Sequence, residues 1–224
     1  MFDNVATVMF VSAILGAGHI TLLRFSFMKE RFRHPPEIAN RITCSTVQVV
    51  VISMSTYNLI DAYKNDTKDL ISPNTIAAAN GLAAMFLYDT VFMLSSPRGR
   101  RQHLMFAHHV LAVILLYMSY SPGIGSNQMN NFVLLTLETA SPLINAMKIS
   151  DELAPGALVT HHIHMWTQVM YFLTRIVMLP MWMVDFYTMK YSGSVSHVLT
   201  LFALLCLWGQ SIKWFVMLLK PKRV

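Results

Sequence analysis

Seven runs of apolar residues, each about 18–25 long, follow one another along this chain with only short connections between them. Nothing else in the sequence constrains the fold as strongly, because about 20 apolar residues in a helix cross a hydrocarbon core of roughly 30 Å. The runs fall at 5–24, 43–61, 75–95, 104–121, 128–147, 164–188 and 195–219. In lipid a backbone has to satisfy its own hydrogen bonds, so each run predicts a helix. The chain reads as an all-α integral membrane protein with about seven transmembrane helices. Only 12% of its residues are charged, against roughly 25% in soluble domains, which leaves little for a soluble domain. No low-complexity segment or internal repeat divides it.

The net charge of +6 does not point to nucleic acid, because the basic residues sit in short clusters between apolar runs. Their arrangement predicts topology instead. Arg24, Lys29, Arg31, Arg33 and Arg41, then Arg98, Arg100 and Arg101, then Lys148, then Lys220, Lys222 and Arg223 all fall on one side. That side holds twelve basic residues; Lys64, Lys68 and Lys190 give the other side three. The rule places the N-terminus lumenal and the C-terminus cytosolic. Met1 to Asn4 carry an acid and no base, so the first run is expected to stay as an anchor. Asn65-Asp66-Thr67 forms a glycosylation sequon in a loop expected to be lumenal. The terminal Lys220-Pro221-Lys222-Arg223-Val224 resembles a dibasic retrieval signal of the endoplasmic reticulum, and reads equally as a basic stop after the last helix. Cys44 and Cys206 both lie inside apolar runs, where they read as small buried hydrophobes rather than a disulfide.

Ionisable groups inside spans are costly and mark a function or a structural pair. Asp89, His108, His109, Glu138, Arg175 and Lys213 are the main ones, Lys213 being close enough to a span end to snorkel; His19, beside small residues, reads as packing. Asp89 lies six residues from the end of its span, about 9 Å along a helix. His108 and His109 begin the next span at a similar depth, so the three can meet. A carboxylate beside an imidazole fixes its tautomer and raises its basicity, as a general base or nucleophile requires; the same pair also simply holds two helices together. Asn131, Glu138 and Asn145 recur at seven-residue intervals on one face of the fifth span, and Gln168, Arg175 and Trp182 on one face of the sixth. Both faces predict a shared polar interior in which Glu138 and Arg175 form an ion pair or wall a headgroup pocket. Ser45, Gln48 and Ser55 complete it from the second span. Pro142 and Pro180 are expected to interrupt spans five and six. His161-His162-Ile163-His164, with His103, His108 and His109, provides too few histidines for a membrane di-iron centre, and no metal site is expected.

These polar residues form an ordered series. Asn40-Arg41-Ile42-Thr43-Cys44-Ser45-Thr46 opens span two, Tyr88-Asp89 closes span three, and His108-His109 opens span four. Leu137-Glu138-Thr139-Ala140-Ser141-Pro142 with Asn145 follows in span five, and Phe172 with Arg175-Ile176 in span six. The series resembles the TLC domain, a lipid-associated membrane domain found in ceramide synthases and in several small proteins. The resemblance implies a TLC domain over 40–220, preceded by a transmembrane anchor and basic loop over 1–39 and followed by a basic tail over 221–224. It further implies that the last six helices form a barrel around a cavity open to the cytosol. His108 and His109 would then serve as nucleophile and general base in acyl transfer from acyl-CoA, with Asp89 orienting one of them. Glu138, Arg175, Asn131, Asn145 and Gln48 would line the substrate. Acyl-CoA is the implied co-substrate, with no resident cofactor, and membrane lipids and long-chain acyl groups are the implied partners. The non-enzymatic alternative is a lipid-sensing or lipid-trafficking protein. Asn130-Asn131-Phe132-Val133-Leu134 stands where ceramide synthases carry a His-Asp pair and a second Asp, and Gln48 where a histidine is frequent. The chain in this respect is closer to the small TLC-domain proteins.

Overall fold

The structure is a computed structural model that describes residues 2–66, 71–95, 103–119, 127–190 and 194–220. The basic residues Arg98, Arg100 and Arg101, the sequon's Thr67, Lys68, most of the 121–127 loop and the 221–224 tail lie outside the described residues, as does the side chain of His103.

The described residues are helical nearly throughout. A first helix α1 (Phe2–Arg24) is followed by the short α2 (Ser26–Arg31), then by α3 (Pro35–Lys64), α4 (Pro73–Ser95) and α5 (His103–Ser119). The fifth apolar run is broken into α6 (Asn127–Glu138) and α7 (Ser141–Leu153). The sixth is continuous, with α8 (Leu158–Tyr171) passing through a π-helical segment (Phe172–Met178) into α9 (Leu179–Lys190). The last helix is α10 (Val195–Leu219).

Local chemistry explains the boundaries. Pro35 opens α3 at a position whose N–H has no helical partner anyway, and Asp66 ends it with a φ of 51°, a left-handed conformation that Asp tolerates. Gly156, with a φ of 79°, makes the tight turn between α7 and α8. Ser194 caps α10 by accepting from the His197 backbone N–H at 3.4 Å. Five stretches are long and apolar enough to cross a membrane: Ala6–Arg24, Pro73–Ser95, Asn131–Leu153, Leu158–Thr188 and Val195–Leu219. In α5 the apolar stretch Leu104–Leu116 is shorter, and α3 falls below this apolarity because one of its faces is polar. That face is the key to the interior.

Helix α3 packs on α4, α4 on α5, α5 on α10, α10 on the α8–α9 rod, that rod on α6 and α7, and α6 and α7 back on α3. Spans two to seven thus close into a ring, and α1 lies outside it against α3 and α4. Pro142 breaks span five, as expected. Pro180 does not break span six: the π-helical segment ends two residues before it and α9 runs through it. Proline at 180 has no N–H for the Ile176 carbonyl, and the Trp208 indole supplies one from α10 at 3.4 Å.

The ring is packed. Leu115, Val133, Leu137, Leu179, Leu204 and Leu207, from α5, α6, α9 and α10, meet in one buried apolar cluster. Val51, Leu82, Met85, Phe86, Ala112, Leu116 and Leu134 form a second between α3, α4, α5 and α6. Two described cavities, of about 330 Å³ and 430 Å³, lie away from this interior. One borders Ser53, Tyr57 and Asn74; the other is the groove between α1 and α4.

Candidate functional site

The polar half of the ring is organised by α3. Its residues Arg41, Ser45, Gln48 and Asn58 recur along one face and bond across to the antiparallel span five. Asn145 Nδ2 donates to Ser45 Oγ at 2.9 Å and to Gln48 Oε1 at 3.3 Å, and Arg41 Nη1 donates to Asn145 Oδ1 at 3.1 Å. Gln48 Nε2 donates to Glu138 Oε2 at 3.0 Å. Further along, Asn58 Nδ2 reaches Asn131 Oδ1 at 3.3 Å, and Asn131 Nδ2 donates to Thr75 Oγ1 at 2.9 Å. The seven-residue spacing of Asn131, Glu138 and Asn145 therefore reports a hydrogen-bonded seam between α3 and span five. Asn131 lies at its far end, on the other side of the apolar layer from Asn145.

At the other wall of α3 sits the Asp89 group. Asn40 Nδ2 donates to Asp89 Oδ1 at 2.7 Å. Asp89 Oδ2 lies 3.4 Å from His109 Nε2, and Thr90 Oγ1 lies 3.0 Å from His109 Nδ1. A neutral imidazole protonated on Nε2 satisfies both contacts, donating to the carboxylate and accepting from the threonine hydroxyl. His108 is 5% exposed, its ring 5.9 Å from that of His109 and 5.1 Å from that of Trp214. Its Nδ1 is buried and makes no hydrogen bond of ordinary geometry, although Gln210 approaches the ring from α10. Asp89 and His109 do come together; His108, next to them on α5, faces Trp214 of α10, and its Nδ1 is the open ring nitrogen.

Glu138 and Arg175 are buried at 1% and 3% exposure but do not form the ion pair that their shared depth suggested. Glu138 gives Oε2 to Gln48, and Arg175 donates through Nη2 to the Leu137 carbonyl. The reason is the break in span five. Helix α6 stops at Glu138, so the Leu137 carbonyl is freed for a side-chain donor. Arg175 itself sits in the middle of the π-helical segment, a geometry that recurs at functional sites.

Three features were missed in the sequence. Asn40 and Arg41 stood in the series that resembles the TLC domain but were given no role in the interior, yet Arg41 turns inward to Asn145 and Asn40 orients Asp89. His19 is more than packing: it is 8% exposed and its Nδ1 pairs with the Tyr88 hydroxyl, tying α1 to the residue before Asp89. His164 pairs with Asp151 at 2.7 Å, holding α8 to the end of α7, while His161 and His162 are exposed. Among the described residues no three His, Cys, Asp or Glu side chains gather as a metal site. Lys213 is exposed, and Cys44 and Cys206 are free thiols.

No curated protein sequence matches the chain. The family model of the TLC domain matches residues 36–220, from the first turn of α3 to the end of α10. With its closed ring of helices, five stretches apolar enough to cross a membrane among the described residues and a family match over most of its length, this chain is a multi-pass membrane protein of the TLC domain family.

Proposed function

We propose that the protein handles a lipid acyl group in the polar half of its helix ring and transfers it from acyl-CoA to a lipid acceptor. The observation that carries this reading is the Asp89–His109 contact beside His108, whose Nδ1 is left open. Asn40 fixes Asp89, Asp89 and Thr90 fix His109, and His108 is free to take a proton. In the reaction an acceptor hydroxyl or amine attacks the thioester carbonyl and gives its proton to His108 Nδ1. The carbon–sulfur bond then breaks, and the CoA thiolate leaves with that proton. His108 acts as the general base, and the Asp89–His109 pair holds its own charge beside it. The acyl tail displaces part of the apolar layer, where Met85 and Met183 provide adaptable side chains. The site faces the cytosol in the charge-derived topology, in keeping with a cytosolic supply of acyl-CoA and an endoplasmic reticulum location.

A second reading, a lipid-sensing or lipid-trafficking protein with no reaction, is favoured by the packing of Phe86 and Trp214 rings against the histidines. Release of free CoA separates the two. Purified protein is given palmitoyl-CoA and a mixed lipid extract, beside a variant carrying His108→Ala and His109→Ala. Release by the parent alone supports acyl transfer; equal background release from both removes it and leaves the binding role.

A further inference from the structure

Among the described residues, Arg175 is a costly group whose bonds are left incomplete. Its guanidinium is 3% exposed, halfway along the α8–α9 rod, and only Nη2 is spent, on the Leu137 carbonyl. Nε and Nη1 are buried with no hydrogen-bond partner. A buried charged donor left unmade costs more than an ordinary lost hydrogen bond, of order 1–3 kcal/mol or above. A chain retains such a group where a ligand completes it. His108 Nδ1, on α5, is another buried atom with no hydrogen-bond partner. Arg175 therefore holds two unspent donors, Nε and Nη1, buried within the ring.

Charge decides what belongs there. The charged groups that reach the interior from the described helices are Arg41, Asp89, Glu138 and Arg175, two of each sign. Their charges already balance. An added anion at this depth brings uncompensated charge into hydrocarbon, which is expensive. A neutral acceptor does not. In a lipid that acceptor is a carbonyl oxygen, with two lone pairs and no proton to place.

We infer that the free donors of Arg175 receive the carbonyl oxygen of a neutral acyl linkage, thioester or ester. The inference rests on the acyl-handling reading above and gives Arg175 a part in it. As the acceptor attacks, the carbonyl π pair moves onto oxygen, and the guanidinium holds the oxyanion until the thiolate is expelled. Preorganised donors of this kind are worth about 10²–10³ in rate. The break at Pro142 and the π-helical segment are then parts of one device: the first frees the Leu137 carbonyl that anchors Nη2, and the second turns the remaining donors inward.

The test is isotope-edited infrared spectroscopy on the full-length protein in nanodiscs of diether phospholipid, which carries no ester carbonyl of its own. The probes are [1-¹³C]palmitoyl-CoA and [1-¹³C]methyl palmitate, each compared with protein-free discs, with CoA release read from the same samples. At least one probe is expected to show a labelled carbonyl band at lower frequency when bound. Arg175→Met should return that band to its protein-free position, and Arg175→Lys, which keeps a cation and is expected to fold, should leave it in between. Bands unshifted in the parent for both probes, or a lowered band that survives in both variants, overturn the inference. A lowered methyl palmitate band without CoA release keeps the carbonyl site and removes the acyl-CoA reaction. CoA release with unshifted bands does the reverse.

Discussion

At the residue scale, Asp89 is defined by its neighbours. Its Oδ1 takes a hydrogen bond from Asn40 and its Oδ2 meets His109. Asn40→Ala removes a donor from a half-buried carboxylate, for which a cost of about 1–3 kcal/mol is expected; thermal unfolding of the detergent-purified protein measures it. Asp89→Asn keeps the shape but removes the charge that fixes His109. It is expected to lower CoA release by about 10²-fold, the lower end of what a positioned acid–base group contributes, with the unfolding temperature less affected than by Asn40→Ala. Equal effects of the two variants on unfolding, with CoA release untouched, assign the cluster to helix packing. The sequence made this group visible because a carboxylate and two histidines stood at matching depths on adjacent helices. It did not show which histidine is oriented, since that depends on side-chain conformations that no spacing encodes. Arg41 was misread for a related reason: a basic residue at a helix start serves topology and interior bonding alike.

At the element scale, apolar run length located the helices but not all their ends, since α3 begins eight residues and α8 six residues before its run, and the seven-residue rhythm of span five found its polar face. That Ser45 and Gln48 of span two meet this face was legible from their helical spacing; which atoms pair was not, because that depends on side-chain conformation. Proline positions were a partial guide. Pro142 breaks its helix, whereas Pro180 is absorbed by an upstream π-helical segment and an indole from α10. In a helix interior proline costs about 3 kcal/mol, so its replacement by alanine ordinarily stabilises. Here Pro142→Ala lets the Ser141 N–H reclaim the Leu137 carbonyl and strips Arg175 of its acceptor. No net stabilisation is expected, and a double-mutant cycle between Pro142→Ala and Arg175→Met should show a coupling of about 0.5–3 kcal/mol in unfolding. Additive effects contradict the link between break and guanidinium. Trp208→Phe removes the donor to Ile176 and should cost about 0.5–1.5 kcal/mol, read from the same unfolding curves.

At the scale of the whole molecule, the ring places polar groups toward the end where α3 and α5 begin and apolar side chains beyond them. Helix α1 is attached from outside through His19 to Tyr88 and Ser12 Oγ to the Ala84 carbonyl, the latter at 2.9 Å. In the topology proposed from the charge distribution, the polar end is cytosolic and Asn65, at the opposite end of α3, is lumenal. Translation in the presence of microsomes should therefore give a glycosidase-sensitive form that Thr67→Ala abolishes; a sequon left unmodified while one added near residue 150 is used reverses the topology. The central claim, that the interior of the ring and not its outer surface holds the acyl group, is tested most directly by photo-crosslinking. A palmitoyl probe carrying a diazirine near its carboxyl end is incorporated with the protein in membranes, and the adducts are mapped by peptide mass spectrometry. Adducts on the interior side chains around Gln48, His108 and Arg175, competed away by palmitoyl-CoA, are the expected result. Labelling confined to outward-facing residues such as Val49, Val184 and Phe202, with no competition, contradicts the account.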